Sequence, residues 1–246
     1  GGDAFIGLPA GSTITVSDDK YTLLTGKYTP ENTSIITMGA SVPGEEETIG
    51  LTHNGTTTFF SSLASAANNA VSGDTIFATG VYTFGDDEVA VVRAGVTLTG
   101  ENLSGYGATF ANDERTAYCG TLQTALASCE DGDTVTLNTD VTVSTNMTVS
   151  KNISIDLNEK TVTSTAFAAP FLVKSNVNCT IANGTIANTA SNYGICVDTE
   201  NGSNTILSKL TLTNTNKTAT APSSVRVRSC TLVLSGVNMS SQLLYT

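Results

Sequence analysis

The chemical motif that recurs most often in this sequence is Asn-x-Ser/Thr, the acceptor pattern for N-linked glycosylation. A chain rich in Ser and Thr forms such triplets by chance, so their placement has to add to the argument. Asn178 should point outward between inward-facing Val177 and Cys179, where a glycosylating enzyme could reach it. We therefore expect a glycosylated extracellular protein. The candidate asparagines are Asn32, Asn54, Asn102, Asn146, Asn152, Asn178, Asn183, Asn201, Asn216 and Asn238.

Cysteines are a second group with chemical potential. None of the close pairs typical of a zinc site occurs, so we expect no metal and no cofactor. Cys119 and Cys129 bracket a segment with helical spacing and could form a disulfide in an oxidising compartment. Cys179 and Cys230 lie in alternating segments, where they are expected to be buried in the core.

Carboxylates and basic side chains that could act as acid and base are present but scattered. Asp86-Asp87 and Asn138-Thr139-Asp140 carry candidate carboxylates. Arg226 and Arg228 alternate onto one face of a strand, and Asp156 could share that surface. We expect the two arginines to be solvated, since long basic side chains usually keep their charge in water.

These residues must be positioned by a short repeat between Thr134 and Leu157. Pairs of apolar residues flank one polar residue, and a polar corner follows every six residues. Alternation with period two predicts strands with one buried face, and regular corners predict a coil of short strands, a β-solenoid. The apolar pairs are Val135/Leu137, Val141/Val143, Met147/Val149 and Ile153/Ile155, and the corners are Asp140, Asn146, Asn152 and Asn158.

A longer repeat relates Ser62–Thr75 to Thr121–Thr134, 59 residues later. Each copy places apolar residues at i, i+3, i+4 and i+7, which predicts an amphipathic helix followed by a strand. Such helices can cover the open end of a solenoid. The predicted N-caps are Ser62 and Thr121, and Gly73 and Gly132 are predicted to end the helices in the left-handed conformation.

The two repeats divide the sequence into three predicted parts. Residues 1–55 form an N-terminal β module or attachment arm, 56–115 a first capping helix with a short β-solenoid unit, and 116–246 the main β-helix. Later strand segments lie roughly 20 to 30 residues apart, the length of one coil in a repeat architecture.

The order helix, Gly-Asp-Thr, alternating strands, and then Lys151–Asn158 resembles the pectin-lyase-like right-handed parallel β-helix superfamily, especially its adhesin-like surface proteins. The resemblance covers about residues 56–246 and implies an all-β, right-handed parallel β-helix with short capping helices. The six-residue period also resembles left-handed hexapeptide solenoids. We rank these second because the period stops after Asn158.

Enzymes of this superfamily cleave acidic polysaccharides. Polygalacturonase-like members carry Asn-Thr-Asp, Asp-Asp, Gly-His-Gly and Arg-Ile-Lys in that order, whereas here Asp86-Asp87 precedes Asn138–Asp140 and the other two motifs are missing. Lyase-like members need Ca²⁺ held by several carboxylates beside a basic residue, and no such set is evident. We therefore predict no catalytic residues.

Composition excludes further classes. With 22 acidic and 11 basic residues, the formal net charge is −11, so binding to nucleic acid or to an anionic membrane surface is not expected. The longest apolar stretch, Ala166–Val173, contains Pro170 and falls far below the roughly 20 residues of a spanning helix. The start at Gly1-Gly2 predicts a processed or excerpted piece.

The expected function is a non-enzymatic structural or adhesive protein on a cell or virion surface. The last predicted turn, Thr231–Leu234, lacks a capping helix, and the N-terminal arm of another copy could cover it, giving a head-to-tail fibre or filament. Two alternatives stay open. One is a module that binds surface glycans in a groove with Tyr82, Tyr106 or Tyr193. The other is a tailspike-like or lyase-like polysaccharide-degrading protein, whose site could form between subunits.

Overall fold

The computed structural model describes residues 47–99, 102–166, 168–190, 194–214, 223–239 and 242–245. The chain divides into two compact units, one comprising residues up to Tyr82 together with Val92–Ser104, the other Thr83–Val91 and residues from Gly105 onward. Both units are built almost wholly of strands, so the all-β prediction is confirmed. Most of the N-terminal module predicted for residues 1–55 lies outside the described residues.

The elements are short and follow one another closely. The helices are α1 (Leu63–Asn69) and α2 (Leu122–Ser128), and the strands are β1 (Ile49–His53), β2 (Thr56–Phe60), β3 (Thr75–Ala78), β4 (Tyr82–Thr83), β5 (Val89–Arg93), β6 (Thr97–Thr99), β7 (Leu103–Ser104), β8 (Ala108–Asn112), β9 (Arg115–Cys119), β10 (Thr134–Leu137), β11 (Val141–Val143), β12 (Met147–Val149), β13 (Ile153–Asp156), β14 (Thr161–Ser164), β15 (Phe171–Val173), β16 (Asn178–Asn188), β17 (Val197–Thr199), β18 (Asn204–Asn214), β19 (Ser223–Val227), β20 (Thr231–Ser235), β21 (Asn238–Met239) and β22 (Gln242–Tyr245).

Each unit contains one copy of a hairpin–helix–strand module. In the first, β1 pairs antiparallel with β2 and with β3, and Ile49 lies opposite Ala78. In the second, β8 pairs in the same way with β9 and β10, and Ala108 lies opposite Leu137. Both partners shift by the same 59 residues, so the predicted duplication is confirmed and includes the preceding hairpin.

The helices begin where the sequence predicts and end earlier. The side chains of Ser62 and Thr121 accept the N–H groups of Ser65 and Thr124, as N-caps do. Both helices end in extended caps at Ala70 and Cys129, three residues before the predicted glycines. Gly73 and Gly132 do have positive φ, at 96° and 92°, but they shape the following turn and do not end the helix.

The second unit continues as a parallel β-solenoid with three sheets. The first sheet stacks β10, β13, β16, β18 and β20 in order, the second β11, β14, β16, β18 and β21, and the third β12, β15, β17, β19 and β22. With the parallel pair β3–β6 of the first unit, the ladders amount to about six turns. The solenoid is therefore confirmed, while its right-handedness stays a prediction.

Coil length explains why the six-residue period stops. Thr134 pairs with Ser154, which pairs with Thr180, Ile206 and Val233 in turn. The first coil is thus 20 residues long and later ones 26 or 27. The added residues lie between the second and third sheets, so the period is broken there although the strands still stack.

A single apolar core runs through these coils. Val149, Ile155 and Leu210 belong to one cluster of buried side chains, and Val141 packs against it. Inward residues stack rung over rung, as in the column Val135, Ile155, Ile181. Burial of each large aliphatic side chain contributes about 1.5–3 kcal/mol, so this column of contacts stabilises the stack.

Candidate functional site

The outer face of the third sheet carries the only cluster in the described residues where two arginines meet one buried carboxylate. Val197 and Thr199 of β17 point into the core, so Asp198 between them is at an outward position. Asp198 lies opposite Arg226 of β19 in the parallel ladder. We call Lys174, Asp198, Glu200, Arg226 and Arg228 the charge ladder.

Asp198 is held by both arginines. Arg226 Nε donates to Asp198 Oδ1 at 2.9 Å, and Arg226 Nη2 donates to Oδ2 in a two-pronged pair. Arg228 Nη2 donates to the same Oδ2 at 2.8 Å. The Asp198 side chain is 4% exposed and that of Arg228 43%. The pairs therefore join the third and fourth coils, since β17 and β19 belong to successive rungs.

Glu200 continues the ladder toward the preceding coil. Lys174 Nζ donates to Glu200 Oε1 at 2.8 Å, and the N–H and hydroxyl of Ser175 donate to Oε2. The hydrogen bond from charged Lys174 lowers the pKa of Glu200, and partial burial opposes this only in part. Glu200 is thus an ionised acceptor between two coils.

The ladder lacks what acid–base catalysis needs. Asp198 and Glu200 are two positions apart on one extended segment, about 6.7 Å, which is within the separation of the two carboxyls of inverting glycosidases, about 6.5–9.5 Å. A general acid must hold its proton near neutral pH, which requires a raised pKa. The pKa of Glu200 is lowered. Its partners make the ladder a set of ion pairs joining coils, with Lys174 and Arg228 partly exposed to solvent.

A polar groove of about 570 Å³ follows one corner of the solenoid, beside the bends of β16 and β18. Asn183 and Lys209 have left-handed φ values of 59° and 50° at equivalent positions of successive coils, and Gly236 takes the same role in the next. Asp156 and Glu159 add carboxylates. The groove can exchange hydrogen bonds with a polar ligand, but no aromatic ring lines it for a sugar to stack on.

Asp156 does not join the arginines as expected. It lies on β13 of the first sheet, where its Oδ1 accepts hydrogen bonds from Asn158 N and Asn183 Nδ2. Arg226 and Arg228 belong to the third sheet, and they are paired, not solvated as expected. Asp198 was missed by sequence reasoning. Its signal was its position after Val197, which matches that of Arg226 after Val225.

The other carboxylates considered for catalysis have structural contacts. Asp140 Oδ1 accepts the N–H of Thr161 at 2.8 Å, so this aspartate closes a corner, as the turn argument predicts. Asp86 and Asp87 are exposed between β4 and β5, and the backbone oxygen of Asp86 accepts the hydroxyl of Thr124 at 2.7 Å. They lie in a different stretch from Asn138, and nothing brings the two motifs together.

The glycosylation candidates fall into two groups. Asn102, Asn178, Asn201 and Asn238 are exposed, and their side chains make no hydrogen bond within the described part of the chain. The side chains of the second group are engaged: Asn54 with His53, Asn146 with the oxygen of Ala169, Asn152 with Asp131, and Asn183 with Asp156. Asn32 and Asn216 lie outside the described residues.

All five cysteines are free thiols in this structure. Cys119 and Cys129 are buried close to one another, and burial, with a smaller contribution from Cys129, raises the pKa of Cys119 to about 12. Their predicted disulfide stays a prediction. Cys179 is buried on β16 as expected. Cys230 follows β19 in a bend, half-exposed, with its sulfur 2.8 Å from the hydroxyl of Thr199, so its expected place in a buried strand is wrong.

The tyrosines proposed for a glycan groove do not line one in the described residues. Tyr82 is buried in the first unit. Tyr106 stacks edge-on between Phe84 and Tyr118 in the second unit, with centroid distances of 5.6 and 5.3 Å. Tyr193 lies outside the described residues.

Three further findings bear on function. Within the described stretches no group of three His, Cys, Asp or Glu side chains could hold a metal ion, and no helix has the length and apolar character to cross a bilayer. No family model, curated protein or solved structure matches this chain. The resemblance to adhesin-like β-helix proteins therefore stays a prediction, and the function has to be argued from the geometry.

Proposed function

We propose that this chain is a non-enzymatic structural or adhesive segment of an extracellular surface protein, displayed on a cell or a virion. The observation that carries the proposal is the solenoid itself. Its apolar side chains are stacked inward through successive coils, and its outer positions are mostly Thr, Ser and Asn. Such a scaffold presents polar side chains at fixed repeat distances without depending on a cofactor or a bound metal.

The charge ladder supports this proposal over an enzymatic one. Both of its carboxylates are engaged by cations from neighbouring coils, and Glu200 has a lowered pKa. Removing Asp198 leaves two guanidinium groups facing each other across the coils. We therefore expect Asp198→Ala to destabilise the solenoid by about 3 kcal/mol, the lower end of the range for breaking a buried ion pair.

Activity on acidic polysaccharides is the direct test of the alternative. Uronate and other anionic polysaccharides are incubated with the protein, and new reducing ends and unsaturated products are measured. We expect neither above background. Turnover that Glu200→Gln abolishes while the melting temperature is unchanged would replace the structural proposal with an enzymatic one.

Glycosylation is the second part of the proposal. The free side chains of Asn102, Asn178, Asn201 and Asn238 can carry a glycan with no loss of an internal hydrogen bond. Asn152 cannot, because its Nδ2 donates to Asp131 and its Oδ1 accepts the N–H of Asn178. We expect folded protein recovered from a secreting, glycosylating host to carry glycans mainly on the free group.

Peptide mapping with glycosidase treatment measures this distribution site by site. Asn178→Gln and Asn152→Gln form the matched pair, since both remove one acceptor on adjacent coils. The first should lower glycan mass and leave stability unchanged, while the second should lower stability and leave glycan mass unchanged. Native material with the bare polypeptide mass would remove the glycoprotein part of the proposal.

Self-association is the third part. The fifth rung leaves Val233 45% exposed, and Leu232, Leu234 and Met239 are only partly buried against the core. Addition of a rung from a second copy would bury these side chains and pair the free strand edge. We propose that copies associate end to end. Sedimentation should show concentration-dependent growth that Val233→Lys reduces, and a strictly monomeric protein at high concentration would exclude the contact.

A further inference from the structure

The outer face of the second sheet carries threonines in two parallel columns. Val162, Ile186 and Leu212 of this sheet are buried, so the residues on either side of each point outward. These outward residues are Thr161, Thr163, Thr185, Thr211 and Thr213, with Ala187 at the remaining position, and Thr142 extends one column to the first coil. We call these six threonines the threonine face.

The parallel register aligns the threonines in two directions. Thr161, Thr185 and Thr211 are successive partners in one column, and Thr142, Thr163, Ala187 and Thr213 are successive partners in the other. Neighbouring strands are about 4.7–4.9 Å apart, and outward residues along a strand about 6.7 Å. The hydroxyl and methyl groups therefore form a flat two-dimensional lattice.

The threonine face is uncharged and its hydroxyls are available. None of the six hydroxyls makes a hydrogen bond within the described part of the protein. Threonine is restricted at χ1, so its hydroxyl and methyl groups are held in few orientations. Ordered first-shell waters on such a surface would repeat with the spacing of the coils.

The lattice itself restricts the partner. A second copy stacked face to face would cover roughly 100–200 Å² per partner, far below the roughly 800 Å² of a standard interface, and would trap hydroxyls at about 1–3 kcal/mol each. Crystalline polysaccharide is disfavoured because no aromatic side chain belongs to the face. A charged mineral or polyanion finds no charge there. Water remains, because it satisfies every hydroxyl.

We infer that the threonine face binds ice, a function beyond the structural and adhesive one proposed above. Its two repeat distances lie near the oxygen–oxygen repeats on faces of hexagonal ice, so waters bound by the threonines can join an ice lattice without displacement. Each threonine adds one hydroxyl contact and one methyl contact. Many weak contacts at fixed spacing then act together, since the solenoid holds them in place.

Partition into slowly growing ice tests the inference. Ice excludes an inert solute, so we expect the purified protein to be enriched several-fold in the ice fraction over an inert protein of similar size. Thr163→Tyr and Thr185→Tyr should reduce the enrichment to that of the inert protein, since a bulky ring lifts the face from the surface. Tyrosine favours strands, so both variants should keep the melting temperature.

Thr148→Tyr is the matched control, because Thr148 is an exposed outward threonine on the third sheet. It should partition like the unchanged protein, and Ala187→Thr, which completes the lattice, should partition more strongly. Exclusion of the unchanged protein from ice overturns the inference. It is also overturned if Thr148→Tyr loses binding equally, or if Thr163→Tyr abolishes a dimer or binding to crystalline cellulose instead.

Discussion

The two hairpin–helix–strand modules share a backbone but fasten one buried aspartate differently. Asp74 and Asp133 are equivalent positions, and each accepts the backbone N–H of the residue three before it, Val71 or Glu130, at 2.8 Å. In the first module Nδ1 of His53 lies 2.6 Å from Asp74. In the second, Asn112 Nδ2 at 2.8 Å and Arg115 Nη2 at 3.1 Å donate to Asp133.

This difference separates what the module requires from what it tolerates. Both copies keep the turn between helix and strand closed by a carboxylate on a backbone N–H group, so that contact fixes the local fold. The second contact, from the hairpin, can come from imidazole or from an amide with a guanidinium. The first module continues into one parallel strand, β6, whereas the second begins a stack of five rungs. The permanently charged partner thus occurs where more structure depends on the aspartate.

Removal of the aspartate should therefore cost more in the second module. Asp133 is fully buried, and Asp133→Ala strands the partly buried guanidinium of Arg115. We expect Asp133→Ala to lower the free energy of unfolding by about 3 kcal/mol, as for a broken buried ion pair. Urea unfolding followed by circular dichroism measures it.

Asp74→Ala is the matched control at the equivalent position. It removes the same backbone contact, but His53 is half-exposed and can return to water, so we expect a clearly smaller loss. Equal losses in the two variants would show that the backbone contact alone sets the stability of both modules and that Arg115 adds nothing.

The second expected effect comes from the cysteines. Cys119 and Cys129 occupy positions that are Phe60 and Ala70 in the first module, so only the second module can be cross-linked. A disulfide closing this short loop would add about 2–3 kcal/mol. Protein refolded under oxidising conditions should have a mass lower by two hydrogens and should lose this stability with a reductant.

Cys119→Ala combined with Cys129→Ala should make stability independent of the reductant. In the fully reduced native protein, burial should leave Cys230 as the thiol that iodoacetamide modifies first, since burial raises the pKa of Cys119, Cys179 and Cys196 to about 12. Oxidised protein whose stability does not respond to a reductant would exclude the cross-link.

The same contrast shows how far sequence reasoning reaches. The 59-residue duplication, the N-caps Ser62 and Thr121 and the alternating strands are local patterns, and the structure confirms them. The charge ladder was not predicted because Asp198 and Arg226 are brought together by stacking of coils whose length is set by irregular segments between sheets. The hydrogen bonds of Asn146 and Asn152 have the same origin in the adjoining coils. Local pattern thus predicts the rungs, whereas contacts between rungs require the register.

Packing inside the modules gives a third, smaller effect. Gly50 of the first module lies opposite Phe77, and a Cβ at Gly50 would overlap the phenylalanine ring. The equivalent pair in the second module is Thr109 and Thr136. Gly50→Ala should destabilise the protein by about 1–2 kcal/mol through overpacking. The double variant Gly50→Thr with Phe77→Thr, which copies the second module, should recover most of the loss. No recovery would mean that Phe77 contributes through its edge-on contact with Phe59.

The smallest effect is the response of the first module to acid. The pKa of Asp74 is lowered from its usual 3.8, chiefly by the N–H of Val71 and further by His53, against the opposing effect of burial. Because the folded pKa is below the unfolded one, the stabilisation is complete above the unfolded pKa of about 3.9 and is lost as pH falls through the folded value. The difference in unfolding free energy between the unchanged protein and Asp74→Asn should thus shrink on acidification from pH 5.

His53→Ala separates the two causes, since it removes the ring and keeps the backbone bond. The acid loss should persist in this variant and begin nearer the usual pKa of an aspartate, because Val71 supplies the larger contribution. If His53→Ala abolishes the pH dependence completely, the histidine and not the backbone determines the ionisation of Asp74. The two modules would then differ in the main support of the aspartate itself, and the shared backbone contact would no longer explain their common fold.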